Sequence, residues 1–410
     1  MRKLLVIVAF VSISLCFAAN PIFKDQSFTM RYTADPSAHV YEGKVYVYPS
    51  HDQDNAAGYN MVDYYVYSSS DLVKWTDHGK VLDVKDVAWA KEYMWAPDCA
   101  YKDGTYYFYF PARGKDGKFY IGVATGTSPG GPFKPETNYI PNSFSVDPAV
   151  FIDDDGKAYM YFGGDGDGGQ KQPWVAKMKD NMKEFDGQPQ KISGAQYWFE
   201  ACWMHKYNNT YYLSYSTGGN YSGYSGSALG YATSSSPMGP FTFKSVFFPS
   251  VSGWTNHHSI VKYADKWYLF YHSADRSGGN SVKRDLCIDY LTYNADGTIR
   301  MVTPTKNGVS AVTVSVNKQI PDCYSVFIKN RLSCKQSAVT YTLTEATMVD
   351  LKIITPSGRI ALPLVQGYQA PRQYTVPLNT SALAQGAYRL LLTTSSGTES
   401  VPFFQNGNPF

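Results

Sequence analysis

Five polar residues recur at matching points of a repeated sequence pattern, and four of them are acidic. In chain order they are separated by 63, 49, 53 and 57 positions: Asp35, Asp98, Asp147, Glu200 and His257. Carboxyl groups held close together can serve as general acid and general base, because a neighbouring carboxylate raises the pKa of its partner. Gathering acids in a protected place is costly, so we expect a catalytic function or a bound cation to compensate for it.

Each of these strand-start residues opens a segment with the same organisation. A short alternating strand leads to a tight turn rich in Gly, Asp or Asn, and a second strand dense in Tyr and Trp follows. The five segments are 34–48, 96–110, 146–162, 199–215 and 256–271. This pattern is typical of β-hairpins, and the spacing leaves room for about four short strands in each repeat. We therefore predict an all-β, five-bladed propeller.

The propeller explains why residues so distant in the chain could act together. The innermost strand of every blade starts at the same end of the central channel. The five strand-start residues are therefore expected to line one small funnel, although they span more than 220 positions of the chain.

The amino-acid composition and the residue pattern of the chain change after about residue 310. Aromatic residues, of which the whole chain has 35 Tyr, 22 Phe and 8 Trp, become sparse, and Thr, Val and Leu alternate. We predict a propeller domain over residues 20–310 and a small C-terminal β-sandwich over 311–410. The second domain has no convincing set of catalytic residues. It resembles C-terminal modules of exported bacterial proteins, and this resemblance implies a role in sorting or attachment.

The first 19 residues are typical of a secretory signal peptide. Arg2 and Lys3 precede an apolar run over 4–17, and two alanines follow. The mature protein is therefore predicted to be secreted or held at the cell surface, with the periplasm as a further location, and no membrane span is expected. Cys16 leaves a lipid-attachment signal open, but Leu15 before it is larger than such a signal prefers.

Charge and cysteine content exclude several classes of function. Without Arg2 and Lys3 the chain has 35 basic and 34 acidic residues, scattered singly, so we expect no nucleic-acid partner. Five cysteines remain beyond the signal peptide and none forms a CxxC pair, which argues against zinc or redox chemistry. Most are expected to be buried thiols, and pairing of Cys323 with Cys334 stays open.

The strand-start motifs resemble those of glycoside hydrolase family 43 over about residues 20–309. The motifs are the Asp-Pro pairs at Asp35 and Asp147, Phe-Glu-Ala at Glu200, Trp-Ala-Pro-Asp ending at Asp98, and the segment 284–299. The resemblance implies a five-bladed propeller that hydrolyses arabinose- and xylose-containing plant cell-wall polysaccharides with inversion. It also implies that Asp35 is the general base, that Glu200 is the general acid, and that Asp147 tunes the pKa of the acid and orients the substrate.

The same resemblance implies ligands. It predicts one structural Ca²⁺ held by His257 together with water, with the adjacent His258 as the alternative ligand, and no organic cofactor. Four residues are expected to contact the sugar: Asp98, Trp95, Trp198 and Arg284. Asp98 could instead be structural, and Arg284 could instead form a salt bridge with Asp285 or Asp289. Two further aromatic candidates for sugar stacking are Trp89 and Trp254.

Three functional alternatives stay open at this point. A propeller lectin would bind sugar with aromatic residues and would not need three retained carboxylates. A neighbouring five-bladed family that acts on fructans fits the Trp-Ala-Pro-Asp motif and the segment 284–299 poorly. Within the favoured family, α-L-arabinofuranosidase and β-xylosidase activities cannot be separated from the sequence, and we favour the former.

Overall fold

The computed structural model describes residues 19–164, 172–218, 228–312 and 331–405, with short gaps in the last range at 336–337, 344–345, 356–357, 380–382, 385 and 395–396. The chain folds into two compact units, Met1–Val314 and Ser315–Phe410. Within the described ranges, no helix is long and apolar enough to cross a membrane. Apart from residue 19, the predicted signal peptide lies outside the described residues.

The described part of the first unit forms five antiparallel sheets, which are the predicted blades. Blade 1 contains β1 (Tyr32–Tyr41), β2 (Lys44–Asp52), β3 (Asp63–Ser69) and β4 (Thr76–Asp83). Blade 2 contains β5 (Ala90–Glu92), β6 (Asp98–Lys102), β7 (Thr105–Gly114), β8 (Phe119–Gly126) and β9 (Lys134–Pro135). Blade 3 contains β10 (Ala149–Ile152), β11 (Ala158–Phe162), β12 (Trp174–Lys177) and β13 (Gln190–Lys191).

The last two blades follow the same plan. Blade 4 contains β14 (Glu200–Tyr207), β15 (Thr210–Ser216), β16 (Leu229–Ser234) and β17 (Thr242–Phe248). Blade 5 contains β18 (His258–Tyr263), β19 (Lys266–Ser273) and β20 (Asp285–Leu291). The strands β1, β6, β10, β14 and β18 contact one another in this order, and β18 also contacts β1. The blades therefore form a closed ring around a central channel.

Turn chemistry explains most of the five inner hairpins. In four of them the loop has two residues with positive φ: Glu42–Gly43, Asp103–Gly104, Asn208–Asn209 and Ala264–Asp265. Two such residues define a type I′ turn, whose twist matches that of the flanking strands, and Gly, Asn and Asp adopt it most readily. The hairpins are thus specified locally by the sequence.

Residues from both ends of the first unit close the ring. The backbone N–H of Ile22 donates to the carbonyl of Leu286 in β20, and the side chain of Asn20 accepts from the N–H of Ile288. The segment before β1 therefore lies along the edge of blade 5. This joins the first described residues to the last blade and removes an exposed strand edge.

Buried tyrosines fill the spaces between the blades and account for the aromatic composition. Tyr48, Tyr161 and Tyr215 are fully buried, and their hydroxyl groups donate to carbonyl oxygens of loops. A tyrosine can thus bury a large apolar ring and still satisfy its hydroxyl. Cys99, Cys202 and Cys287 are buried free thiols, as expected.

The described residues of the second unit form two antiparallel sheets. One has β21 (Arg331–Lys335), β22 (Ala338–Thr342) and β25 (Gln373–Pro377), and the other has β24 (Ile360–Gln369), β23 (Thr347–Ile354), β26 (Gly386–Thr394) and β27 (Gly397–Gln405). On β23 Val349, Leu351 and Ile353 are buried and alternate with more exposed residues, which is the pattern of a strand with one face on a core. Cys323 lies outside the described residues, so its pairing with Cys334 stays open.

Candidate active site

A cavity of about 230 Å³ lies at the end of the channel where the inner strands begin. Four of the five strand-start residues line it: Asp35, Asp147, Glu200 and His257. The rest of the wall is largely apolar and aromatic and includes Tyr59, Met61, Trp95, Val146, Phe199 and Trp254. The ring therefore brings three carboxylates and one histidine from four blades into one small space.

Local backbone irregularities aim the acids into this cavity. The pairing of β1 with β2 shifts between Ala34 and Ser37, and Asp35 within this bulge has a φ of 49°. The pairing of β14 with β15 shifts directly after Glu200, and Ala201 has a φ of 63°. Asp147, just before β10, has a φ of 57°. Bulges redirect side chains, and such strained conformations cluster at functional sites.

Asp98 departs from the expected convergence. It begins β6 without a bulge, because Asp98 and Cys99 pair in regular register with β7. Its side chain is buried but does not line the cavity. Both carboxylate oxygens instead accept hydrogen bonds within the ring, from Ser37, His39 and Val150. Of the two roles considered for Asp98, this placement favours the structural one.

Asp35 lies in a strongly polar environment. Arg284 Nη1 donates to Asp35 Oδ1 at 2.9 Å, and Ser50 Oγ donates to Oδ2 at 2.6 Å. The backbone N–H of Asp35 donates to Nδ1 of His272 at 3.0 Å, which holds the bulge in place. Burial is the largest single effect and opposes ionisation, but the guanidinium of Arg284 together with His272 and His257 outweighs it and holds the pKa of Asp35 well below its usual range. Asp35 is therefore a carboxylate, the form that a general base requires.

Arg284 lines the cavity although it is only 2% exposed, and all five of its N–H groups have acceptors. Nε and one Nη2–H bind Asp52 at 2.9 and 2.8 Å, both Nη groups reach Asp35, and Nη1 also binds Thr255 Oγ1 at 2.9 Å. The partners are thus neither Asp285 nor Asp289. The sequence offered no sign of Asp52 or His272, because their roles arise from packing between blades 1 and 5.

Asp147 and Glu200 form the second half of the site. Burial, followed by the charges of Glu200 and Asp35, raises the pKa of Asp147 well above its usual range, although the N–H of Ala201 donates to its Oδ2 at 3.1 Å. Interacting carboxyl groups titrate as a pair, so the two together retain a proton to higher pH. A Cβ at Gly164 would lie 2.8 Å from Val146 Cγ2 and 3.2 Å from Glu200 Cβ, so only glycine fits beside them.

The two adjacent histidines face different surroundings. His257 Nδ1 lies 3.8 Å from Asp35 Oδ1 and 3.9 Å from Asp147 Oδ2, and burial lowers the pKa of His257 to about 4 although Asp35 opposes this. The imidazole is therefore neutral near pH 7. His258 instead points to blade 4, where its Nε2 lies 2.7 Å from Ser214 Oγ. Of the two alternatives, His257 is the one that lines the cavity.

The four candidate tryptophans separate into two pairs. Trp95 lines the cavity, and its indole N–H donates to the carbonyl of Tyr59 at 2.8 Å, which fixes the ring. Trp254 also lines the cavity and is 55% exposed at its mouth. Trp198 packs against the hydrophobic core, and Trp89 stacks on a phenylalanine of blade 2. Neither Trp198 nor Trp89 is part of the cavity wall.

Residues 25–299 match the sequence profile of glycosyl hydrolases family 43. The chain belongs to this family. It is 43% identical over 320 residues to xylosidase/arabinosidase 43A of Humicola insolens, which covers 65% of this chain and 96% of the relative. It is 42% identical over 312 residues to a xylosidase/arabinosidase of Bacteroides ovatus, covering 65% of this chain and 94% of the relative.

Solved structures of family 43 agree. A β-xylosidase/α-arabinofuranosidase from a compost metagenome, in complex with xylotriose and in a calcium-free form, has a TM-score of 0.63 and 46% identity over 68% of this chain and 96% of its own. An arabinoxylan arabinofuranohydrolase of Bacillus subtilis has a TM-score of 0.62 and 25% identity over 95% of this chain and 98% of its own. These comparisons confirm the predicted family, the propeller and the glycoside hydrolase activity, and they do not favour a lectin.

Proposed function

We propose that this family 43 enzyme removes single arabinofuranosyl or xylosyl units from arabinoxylan-type polysaccharides of plant cell walls, with inversion. The observation that carries the proposal is the cavity of about 230 Å³ in which Asp35, Asp147 and Glu200 meet. Pockets that bind drug-sized ligands have volumes of about 300 to 1,000 Å³. This cavity is smaller, which supports the binding of one pentose rather than of a longer segment of the polysaccharide. The names of the relatives support pentoses as the sugars.

Asp35 is assigned the role of general base. Its low pKa leaves it ionised across the physiological range, so it can accept the proton of a water that attacks the anomeric carbon. Arg284 maintains this state through its contact with Asp35, and because it also lines the cavity, its contact with the sugar stays part of the proposal. The base is therefore prepared before the substrate arrives.

Glu200 is assigned the role of general acid, and Asp147 that of its modulator. Inversion needs an acid and a base on opposite sides of the sugar, about 6.5 to 9.5 Å apart, so that a water fits beside the base. Glu200 is the first residue of the inner strand of blade 4, and Asp35 lies in the bulge of the inner strand of blade 1. Blade 5 lies between these two blades in the ring. The raised pKa of Asp147 supports a proton held jointly by Asp147 and Glu200 and available to the departing oxygen.

The apolar wall suits a pentose. A pentopyranose or a pentofuranose presents C–H groups on its ring faces, and rings such as those of Trp95 and Tyr59 can pack against them. Trp254 lies at the mouth, where the remainder of the polysaccharide would leave the cavity. We favour arabinofuranosidase over xylosidase activity, as we did in the interpretation of the sequence.

A structural Ca²⁺ near His257 belongs to the same proposal. The neutral imidazole has a lone pair available, and the acids of the cavity favour a cation nearby. Within the described ranges, however, no three His, Cys, Asp or Glu side chains are arranged to hold a metal. Because Ca²⁺ takes six to eight oxygen ligands, water would have to complete its shell, as the sequence resemblance implies. When bound, the ion would offset the charge of the carboxylates.

Export is proposed from the sequence alone. Residues 1–19 have the order of a signal peptide, so the mature enzyme is expected to be secreted or held at the cell surface. A polysaccharide is too large to enter a cell, and a location outside the cytoplasm suits this substrate. N-terminal sequencing of the exported protein would test the cleavage site.

One assay tests the proposed function. The full-length enzyme is incubated with wheat arabinoxylan and, separately, with xylo-oligosaccharides, and the released monosaccharides are quantified. We expect free pentose as the first product, with arabinose from arabinoxylan favouring the arabinofuranosidase and xylose from oligosaccharides favouring the xylosidase. Early ¹H NMR spectra should show the inverted anomer. Binding without pentose release, or retention of configuration, would contradict the proposal, and Asp35→Asn serves as the inactive control.

A further inference from the structure

The carboxylate of Asp98 joins the inner strands of three blades. Asp98 is the first residue of β6 in blade 2 and is 1% exposed. Its Oδ1 accepts from Ser37 Oγ at 2.5 Å and from His39 Nε2 at 2.6 Å, both in β1 of blade 1. Its Oδ2 accepts from the backbone N–H of Val150 in β10 of blade 3, at 2.5 Å. One side chain therefore ties blades 1, 2 and 3 together within the ring.

Both anchored strands carry an acid of the active site. Ser37 lies two residues after Asp35, at the position where regular pairing resumes beyond the bulge. Val150 lies three residues after Asp147. Asp35 and Asp147 both have positive φ, and a strained backbone persists only where its surroundings hold it in place. The hydrogen bonds to Asp98 provide such a constraint two residues after Asp35 and three residues after Asp147.

We propose that Asp98 is a positioning residue, which sets the separation between Asp35 and Asp147 by holding β1 and β10 to β6. This inference rests on the proposed roles of these two acids. Asp98 does not line the catalytic cavity, so it acts through the strands rather than on the substrate. A displacement of about 1 Å in a catalytic group can cost about a hundredfold in rate, so such a clamp has a measurable consequence.

The chemistry of the three donors predicts which substitutions are tolerated. Ser37 can rotate its hydroxyl group and His39 can change tautomer, so each could accept a hydrogen bond instead of donating one. The N–H of Val150 can only donate. An asparagine at position 98 could therefore direct its oxygen to Val150 and its NH₂ group to Ser37 and His39, and keep all three contacts. Alanine would lose them all.

Three variants of the full-length enzyme test the inference: Asp98→Ala, Asp98→Asn and the control Asp289→Ala. Asp289 is also buried, in β20 outside the cavity wall, and accepts from Tyr271 and from two groups of Thr305. We expect Asp98→Ala to lower kcat about ten- to a hundredfold with little change in KM. We expect Asp98→Asn to restore most of the rate, and Asp289→Ala to lower the melting temperature without changing kcat.

The pH profile distinguishes positioning from general stability. The charge of Asp35 contributes to the raised pKa of Asp147, so a wider separation should lower that pKa and move the alkaline limb to lower pH in Asp98→Ala. Asp289→Ala should leave the limb in place. An unchanged kcat and alkaline limb in folded Asp98→Ala, or equal changes in the control, would overturn the inference. If Asp98→Ala does not fold, Ser37→Ala should show a smaller change in the same direction, and wild-type behaviour there would overturn it.

A crystallographic comparison separates this inference from the proposed function. The distance between the carboxylates of Asp35 and Asp147 should be longer in Asp98→Ala, or in Ser37→Ala, than in the wild type. An unchanged distance refutes the clamp whatever the activity. A longer distance in the variant, found together with a wild-type enzyme that releases no pentose, would instead show that the proposed function is wrong while the clamp is real.

Discussion

Replacing Arg284 with glutamine should move the acidic limb of the pH–rate profile to higher pH. Arg284 Nη1 lies 2.9 Å from Asp35 Oδ1, and the side chains are 2% and 8% exposed. Burial has the largest effect on the pKa of Asp35 and raises it, while Arg284 is the strongest of the groups that lower it. Without the guanidinium, the burial of Asp35 is opposed mainly by the hydrogen bond from Ser50 and by the nearby histidines. The base should then become protonated at a higher pH.

The size of the expected pH shift follows from the distance between Arg284 and Asp35. Two charges about 4 Å apart interact by about 4 kcal/mol at an effective dielectric constant of about 20. One pKa unit corresponds to 1.36 kcal/mol, so losing Arg284 is worth about 3 units. Because the glutamine can still donate a hydrogen bond to Asp35, we expect the acidic limb to rise by about 2 to 3 pH units.

The assay is kcat/KM from pH 2 to 9 on an aryl pentoside, with thermal melts to confirm folding, because the limb of the variant should appear at the acidic end of this range. Arg284→Gln also leaves Asp52 buried without its cation, which destabilises a protein strongly. The double variant Arg284→Gln/Asp52→Asn removes that second charge and is the better test. Asp52→Asn alone is the matched control, and because it keeps Arg284, its acidic limb should not rise. An unchanged acidic limb in the folded double variant would refute the electrostatic role of Arg284.

Four further predictions address the site and the domains. Glu200→Ala should lower polysaccharide cleavage by about a thousandfold but spare an aryl glycoside with a good leaving group, whereas Asp35→Ala should lower both rates alike; equal losses in the two variants would contradict the assigned roles. Asp147→Asn should move the alkaline limb of kcat/KM to lower pH, because removing its charge lowers the pKa of Glu200; an unmoved limb would exclude this coupling. Exhaustive chelation should lower the melting temperature if Ca²⁺ binds near His257, since a ligand of the native state stabilises it; an unchanged melt with no metal detected would leave His257 a structural residue. A protein truncated to residues 20–314 should keep its hydrolytic activity, because the chain up to Val314 forms a compact unit of its own; a folded but inactive truncation would refute a passive tail.

The sequence alone was sufficient to predict the fold and the placement of three acids in one cavity, because both follow from a locally encoded repeat. Paired positive-φ residues such as Asp103–Gly104 specify a hairpin turn through interactions within a few positions. Repetition of that hairpin five times then implies a ring, and a ring brings equivalent positions together. Asp35, Asp147 and Glu200 could be identified because they occupy equivalent positions in the repeats.

Only the tertiary structure decided which side chains share the cavity and in what protonation state. Asp98 occupies the equivalent position in blade 2, yet the absence of a bulge leaves it between the inner strands, where it binds blades 1 and 3. Arg284 binds Asp35 and Asp52 across 249 and 232 positions of the chain. Side-chain direction depends on strand register, and pKa depends on burial and on distances between blades. The side-chain directions and the pKa values are therefore set only when the ring closes, and no local sequence pattern encodes them.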